Sequence, residues 1–231
     1  MTSTHRTADE AKAENIRLMG NELGAVYAAL WQEVARLHSD WSNYETLFGS
    51  KESRVDLLNA AAPAFSRLVQ DSIWENVLLQ IARLTDKAIT FRKPNLTIQR
   101  VAPLISRSSS RSVKRIESSV QTALTNCAFA RDWRNRHIAH NDLDLKISNE
   151  ARPLDFASRQ SVKLALASLS EVLNNVAKEY FDSTTFFDTF GAEDALSLLY
   201  VIDDGLRARE RRHQRLLDGV FDKNEHEPRD V

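Results

Sequence analysis

Apolar residues recur along this chain at intervals of three and four, the spacing that gathers them on one side of a helix. Over residues 8–37 the series Ile16, Leu23, Val26, Leu30, Val34 and Leu37 predicts one long helix. Gly20 and Gly24 lie inside it and either bend it or admit a close neighbour. A shorter apolar segment covers residues 41–48 and is closed by Gly49. Ser50 is placed to cap a helix reaching about Ala62, and Pro63 to open the next one, because its missing N–H costs least in a first turn. Residues 63–84 carry Phe65, Leu68, Ile73, Trp74, Val77, Leu78 and Ile81, a stripe wide enough for a central core helix.

Residues 85–95 read as a connection, after which Asn95 or Thr97 caps a short helix to Ile105. The serine- and arginine-rich run at 106–112 is a loop or a helix start at Ser110. A helix over residues 113–140 then puts Ile116, Val120, Leu124, Cys127 and Ala128 on its buried side. The pattern breaks at 141–153, where the alternation Leu143-Asp144-Leu145-Lys146-Ile147 suggests a short strand or an extended arm. Two more amphipathic helices follow over 155–180 and 192–217, and residues 221–231 are expected to be a disordered tail. With no internal repeat and no clear boundary, the expectation is all-α: a single-domain helical bundle over residues 1–220.

Composition agrees with helices and narrows the setting. A 231-residue chain that is 42% hydrophobic can bury a sizeable core, and 6 Gly with 5 Pro argue against a turn-rich β protein. The single Cys127 excludes an internal disulfide and fits a reducing cytoplasm. Residues 1–12 contain no apolar leader, and no window approaches the length of apolar chain that a membrane span needs, so a cytoplasmic protein without membrane association is expected.

Charge is distributed unevenly. Between Arg100 and His140 stand eight basic residues (Arg100, Arg107, Arg111, Lys114, Arg115, Arg131, Arg134, Arg136) and two acidic ones (Glu117, Asp132), a local balance of +6 in a chain of net charge −1. Such a segment suits a polyanion, since phosphate affinity depends on cations gathered at one surface. An ordinary solvated face with charges paired in the fold reads equally well. The segment ends in Arg131-Asp132-Trp133-Arg134-Asn135-Arg136-His137-Ile138-Ala139-His140, the densest chemistry in the chain. Arginine stays cationic and grips two phosphate oxygens at once, and histidine exchanges a proton near neutrality. Together they suit a phosphodiester.

Arg134 followed after five residues by His140, with Asn135 directly after the arginine, resembles the signature of HEPN proteins. Residues 81–87 (Ile-Ala-Arg-Leu-Thr-Asp-Lys), the run Asn95-Leu96-Thr97-Ile98, and Ala139-His140-Asn141-Asp142 are similar to the HEPN subgroup of bacterial abortive-infection systems. The resemblance covers residues 62–142 well and the flanking helices loosely. It implies a HEPN-like helical bundle with additional flanking helices, a homodimer, and a metal-independent endoribonuclease using no cofactor. It further implies a toxin or phage-defence effector, for which a neutralising antitoxin protein is an admissible partner. Arg134, His140 and Asn135 are its catalytic candidates; Arg111, Lys114, Arg115, Arg131, Arg136 and His137 are candidates for RNA binding. The alternative within the same family is an inactive nucleotide- or RNA-binding or protein-interaction module.

Helix geometry sets a condition on this reading. Six residues along an ideal helix leave Arg134 and His140 about 120° apart around the axis. Either the helix loosens before His140 or each residue faces a cleft built partly by a second protomer. One histidine cannot easily serve as base and acid in one step, and two copies across a two-fold axis can. Asn135 would orient His140 or a phosphate oxygen, or cap the helix end. Other uses stay open. His137 and His140 at three-residue spacing can bind a metal with Asp142 or Asp144, although the neighbouring guanidiniums disfavour a cation. A purely structural role would bury His140 and pair the arginines with carboxylates. Arg83 and Asp86, three apart, read as a local ion pair that positions the motif helix. His5, His38, His213 and His226 lie in polar or terminal sequence and carry no claim.

Overall fold

The computed structural model describes residues 7–105, 110–140, 142–148, 150–189 and 191–221. All of the expected tail at 221–231 except Phe221, the run at 106–109 and Asn141 lie outside the described residues. Those described form ten α-helices, two π-helical turns, two short 3-10 turns and one two-residue β-hairpin, so the all-α expectation holds.

The first long helix is in fact two. α1 (Ala8–Met19) starts in a capping box, with the Thr7 hydroxyl accepting from the Glu10 N–H and the Glu10 carboxylate accepting from the Thr7 N–H. It ends at Gly20, whose φ of 86° is a conformation that side chains rarely adopt. α2 (Asn21–Tyr44) begins immediately, and Gly24 sits where an added Cβ would lie 2.5 Å from the backbone of Asn15 and Ile16. The break and the close neighbour are therefore one device, built on two glycines. A π-helical turn over Glu45–Gly49 extends α2, so residues 41–48 are not a separate helix. α3 (Glu52–Ala61) opens from Lys51 without a side-chain cap; Ser50, the expected cap, instead accepts a hydrogen bond from the Arg54 guanidinium.

α4 (Pro63–Leu84) starts at its proline as expected. Val77, Leu78 and Ile81 are fully buried, each stabilising the fold by about 1.5–3 kcal/mol relative to exposure. Phe65 and Leu68 stay exposed. A hairpin pairs Ile89 with Pro94 and Thr90 with Lys93, turning through Phe91 and Arg92 at positive φ. Thr97 caps the next turn, which leads into α5 (Val101–Leu104).

The expected helix over 113–140 is divided into three pieces. α6 (Ser110–Asn126) runs to a break at Cys127, α7 (Ala128–Trp133) follows, and a π-helical turn covers Arg134–Ile138. α8 (Leu143–Ile147) replaces the expected strand: the Asp142 carboxylate accepts from the Leu145 N–H and nucleates a turn that alternation alone does not reveal. α9 (Arg159–Tyr180) starts at Ser158 in a second capping box, and α10 (Glu193–Leu217) closes the chain. Among the described residues no helix is long and apolar enough to cross a membrane.

The described residues form two compact units, those within 7–42 and 72–191 and those within 43–71 and 192–221. In the first, α6 packs along α9 through Ile116, Val120 and Ala123 against the stripe Val162, Ala165, Leu169, Val172 and Val176. The Asn126 amide donates to the Ser168 hydroxyl at 2.7 Å across the same contact. In the second, α10 packs on α3 and on the π-helical turn over Glu45–Gly49, burying Leu47, Leu58, Ala195 and Leu199. The candidate chemistry lies wholly in the first unit.

Candidate functional site

The site is assembled on the short helix α7 and the π-helical turn after it. Here the Ala139 N–H bonds to the Arg134 carbonyl at 2.8 Å, five residues back instead of four. The helix does loosen before His140, one of the two arrangements that the 120° offset left open. It has a cause in the packing on either side. Before it, Phe129 and Ala130 are buried, and the Trp133 indole donates to the Asp155 carbonyl at 2.8 Å. After it, the Asp142 N–H reaches back to the Arg136 carbonyl at 3.2 Å. The main chain is pinned at both ends of a five-residue stretch, and the extra residue bulges between them.

A strap formed by residues 152–155 holds this stretch from outside. The Arg136 guanidinium donates to the carbonyls of Arg152 at 2.6 Å and Pro153 at 3.3 Å, and lies 3.3 Å from Asp142 and 3.5 Å from Asp132. The Asp155 N–H donates to Asp132 at 2.9 Å. Arg136 is thus a fastener between the π-turn, the strap and the cap of α8. Its cap bond to Leu145 and the Arg136 cation hold the Asp142 carboxyl below its ordinary range, in that order of size.

Arg134 has different company. Its Nη1 donates to a carboxylate oxygen of Asp86 and its Nε donates to Oδ1 of Asn135 at 3.0 Å. Both ion-paired side chains are about one quarter exposed, 23% and 24%. Asp86 therefore positions the motif element as expected, but through Arg134; Arg83, its expected partner, is exposed. Among the described contacts, Asn135 bonds the guanidinium and no imidazole. Arg131, next to the pair, donates to the Thr85 carbonyl at 2.7 Å.

The two histidines of the motif separate. His137 is half-buried, edge-on to the Trp133 ring at 5.5 Å, with Nε2 3.5 Å from Glu75. His140 is exposed and hydrogen-bonds no described side chain. Among the described residues, no three His, Cys, Asp or Glu side chains are grouped so as to hold a metal ion. Arg111, Lys114 and Arg115 stand exposed at the start of α6, Arg115 lying 3.7 Å from Glu179. At about 1.5 Å per residue, the remaining eleven residues of α6 carry the chain roughly 16 Å onward before α7 begins. The basic run is therefore two features: exposed cations at one end of α6, one of them facing Glu179, and arginines already engaged around the π-turn.

Sequence reasoning did not foresee Glu75, Gln99 or the strap. Gln99 donates to the carbonyls of Thr85 and Asp86, and Thr97 to those of Leu84 and Asp86, a brace behind the Asp86 carboxylate. The sole hint was the Thr85-Asp86 pair at the end of an apolar helix, a common place for polar anchors. His38, set aside as polar, stacks on Phe187 at 5.5 Å and bonds the Ser170 hydroxyl at 2.9 Å.

The arrangement can hold an anion against a fixed guanidinium, with an exposed imidazole six residues further along the chain. A family model described as AbiU2, of HEPN type, matches residues 20–200 of the chain. No curated protein and no solved structure matches it.

Proposed function

Because this chain belongs to the AbiU2 family of HEPN-like abortive-infection proteins, we propose that it is a metal-independent endoribonuclease acting as a toxin or abortive-infection effector. The observation that carries the reading is a braced Arg134 opening an irregular turn, with an exposed His140 two residues beyond the end of that turn. An RNA 2′-hydroxyl gives its proton to a base and attacks the adjacent phosphorus. The bond from phosphorus to the 5′-oxygen breaks, an acid protonates that oxygen, and a 2′,3′-cyclic phosphate remains. Arg134 would offset charge on the phosphorane, and His140 would transfer one proton. The second proton requires a second imidazole, which the His140 of another copy in a two-fold dimer would supply. Arg111, Lys114 and Arg115 would hold RNA phosphates further along the strand, with Arg131, Arg136 and His137 contributing to the field near the site.

His140→Ala should abolish cleavage, and Arg134→Ala should reduce it strongly, since loss of a positioned proton-transfer group costs about 10² to 10⁴ in rate. Cleavage should persist in EDTA. A purified protein that cuts RNA only when Mg²⁺ or Zn²⁺ is added refutes the mechanism.

A second reading is favoured by the Asp86–Arg134 ion pair, which already neutralises the arginine: an inactive nucleotide- or RNA-binding module, or a docking site for an antitoxin protein. It requires RNA association without cleavage by the wild-type chain.

A further inference from the structure

A guanidinium offers five N–H groups in a fixed plane. Arg134 uses one on Asn135 and one on Asp86, which leaves three for a ligand among the described contacts. Those three lie on Nη1 and Nη2, the edge that grips two phosphate oxygens.

Asp86 is not a loose side chain that happens to lie nearby. Its carbonyl accepts from the Thr97 hydroxyl at 2.8 Å and the Gln99 amide at 2.9 Å. The preceding Thr85 is fully buried, its hydroxyl donating to the Ile81 carbonyl at 2.9 Å and its own carbonyl accepting from Gln99 at 3.0 Å and Arg131 at 2.7 Å. Three side chains from two parts of the sequence, Thr97 with Gln99 and Arg131, converge on these two carbonyls. The carboxylate is therefore presented from a rigid platform, as a positioning group must be.

A fixed carboxylate touching a guanidinium has two effects of opposite sign. It removes the rotamer entropy that a long side chain would lose on binding, which favours reaction from an aligned state. It also cancels most of the arginine's charge as seen by a distant polyanion, which weakens RNA association. A brace made only for folding would have the first effect on stability and none on the relation between binding and rate.

We infer that Asp86 is a positioning residue for Arg134: it aims the free guanidinium edge at a phosphate and lowers the site's affinity for RNA in doing so. This deepens the ribonuclease reading and rests on it. The substitution Asp86→Asn keeps size and a hydrogen-bond acceptor but removes the charge. RNA affinity, measured with a single-stranded oligonucleotide in a His140→Ala background, should rise. The plot of log Kd against log salt should steepen by about 0.7, the contribution of one added phosphate contact on a single strand. The cleavage rate at saturating RNA, measured with His140 intact, should fall about 10- to 100-fold, the scale of a misplaced group.

Tighter binding with slower cleavage is the signature that a structural role does not give. Thr97→Val weakens the brace without touching charge, and should leave the salt slope at the wild-type value. Asp86→Glu keeps the charge, and should also keep the slope while slowing cleavage. Should Asp86→Asn fail to fold, a steepened slope in Asp86→Glu overturns the inference. An Asp86→Asn protein with wild-type slope, or with wild-type rate, overturns it as well. A wild-type protein that binds RNA without cutting it removes the ribonuclease reading, yet the salt slopes still decide the charge role of Asp86. One that neither binds nor cuts removes both.

Discussion

Among single residues, the side chains that looked most alike in sequence have the most different surroundings. Arg131, Arg134 and Arg136 are equally cationic, but Arg131 holds a main-chain carbonyl, Arg136 fastens a strap and a helix cap, and Arg134 faces one fixed carboxylate. His38 and His140 divide in the same way. Burial pushes the His38 imidazole below its ordinary pKa of 6.5, against smaller upward effects of the Leu166 backbone and the Asp188 carboxylate. The unfolded chain therefore takes up a proton near pH 6.5 that the folded chain still refuses. Below 6.5 the unfolded state binds more protons, so stability should fall as pH drops through that value. The fall should cease once the folded imidazole is itself protonated. Above 6.5 this residue should contribute no slope. Urea unfolding of wild type and His38→Phe at a series of pH values tests this; an equal pH dependence in both proteins would contradict it. Cys127 is another buried titrating side chain of this unit whose surroundings decide its chemistry. Burial raises its thiol to about 12, against the opposing Arg131 charge, so it is a packing residue and not a nucleophile.

Among elements, the two helix interruptions near the N-terminus and in the motif have distinct physical origins. The first is made by glycines and is a matter of space. Gly24→Ala places a methyl group 2.5 Å from the backbone of Asn15 and Ile16, and backbone cannot rotate aside as a side chain can. The helix propensity gained by alanine is about 1 kcal/mol, and the clash should exceed it, for a net loss of about 1–3 kcal/mol. Gly205, inside α10 with nothing within 4 Å of an added Cβ, should behave oppositely and gain about 0.5–1 kcal/mol as alanine. Chemical denaturation midpoints of the two variants should move in opposite directions, and a shift of the same sign would disprove the account. The second interruption contains no glycine and no proline. It arises because Trp133 and Asp142 anchor the chain on either side of residues 134–138. That is why a pattern search sees a continuous helix there.

At the scale of the whole molecule, the proposed chemistry needs two imidazoles, and the described part of the motif exposes one. Among the described residues His140 is the exposed histidine of the motif, while His137 is engaged with Trp133 and Glu75. The active species should therefore be a dimer. Mixing wild type with an excess of His140→Ala should lower activity per wild-type chain as mixed dimers form, and dilution should lower it further. Full activity from a species that sediments as a monomer would remove the shared-site mechanism. His140 would then have to work with a group of its own chain, for which Asp86 is the nearest acid to the arginine.

The sequence alone determined the helices that rest on local spacing and caps: the proline start of α4, the Thr97 turn, the stripes of α2 and α9, and the all-α class follow from side-chain periodicity, a property of neighbours in the chain. It also pointed to residues 131–140, where residue types that handle phosphate and protons are dense, and within that stretch the HEPN resemblance singled out Arg134, Asn135 and His140. Tertiary structure alone decided which of those arginines is available. Asp86 lies 48 residues before Arg134, the strap about twenty residues after it, and Gln99 belongs to neither. Charge pairing depends on distance through space, and no spacing rule along a chain reports it. The same holds for the π-turn and for α8, where anchors outside the segment overrode the periodicity within it.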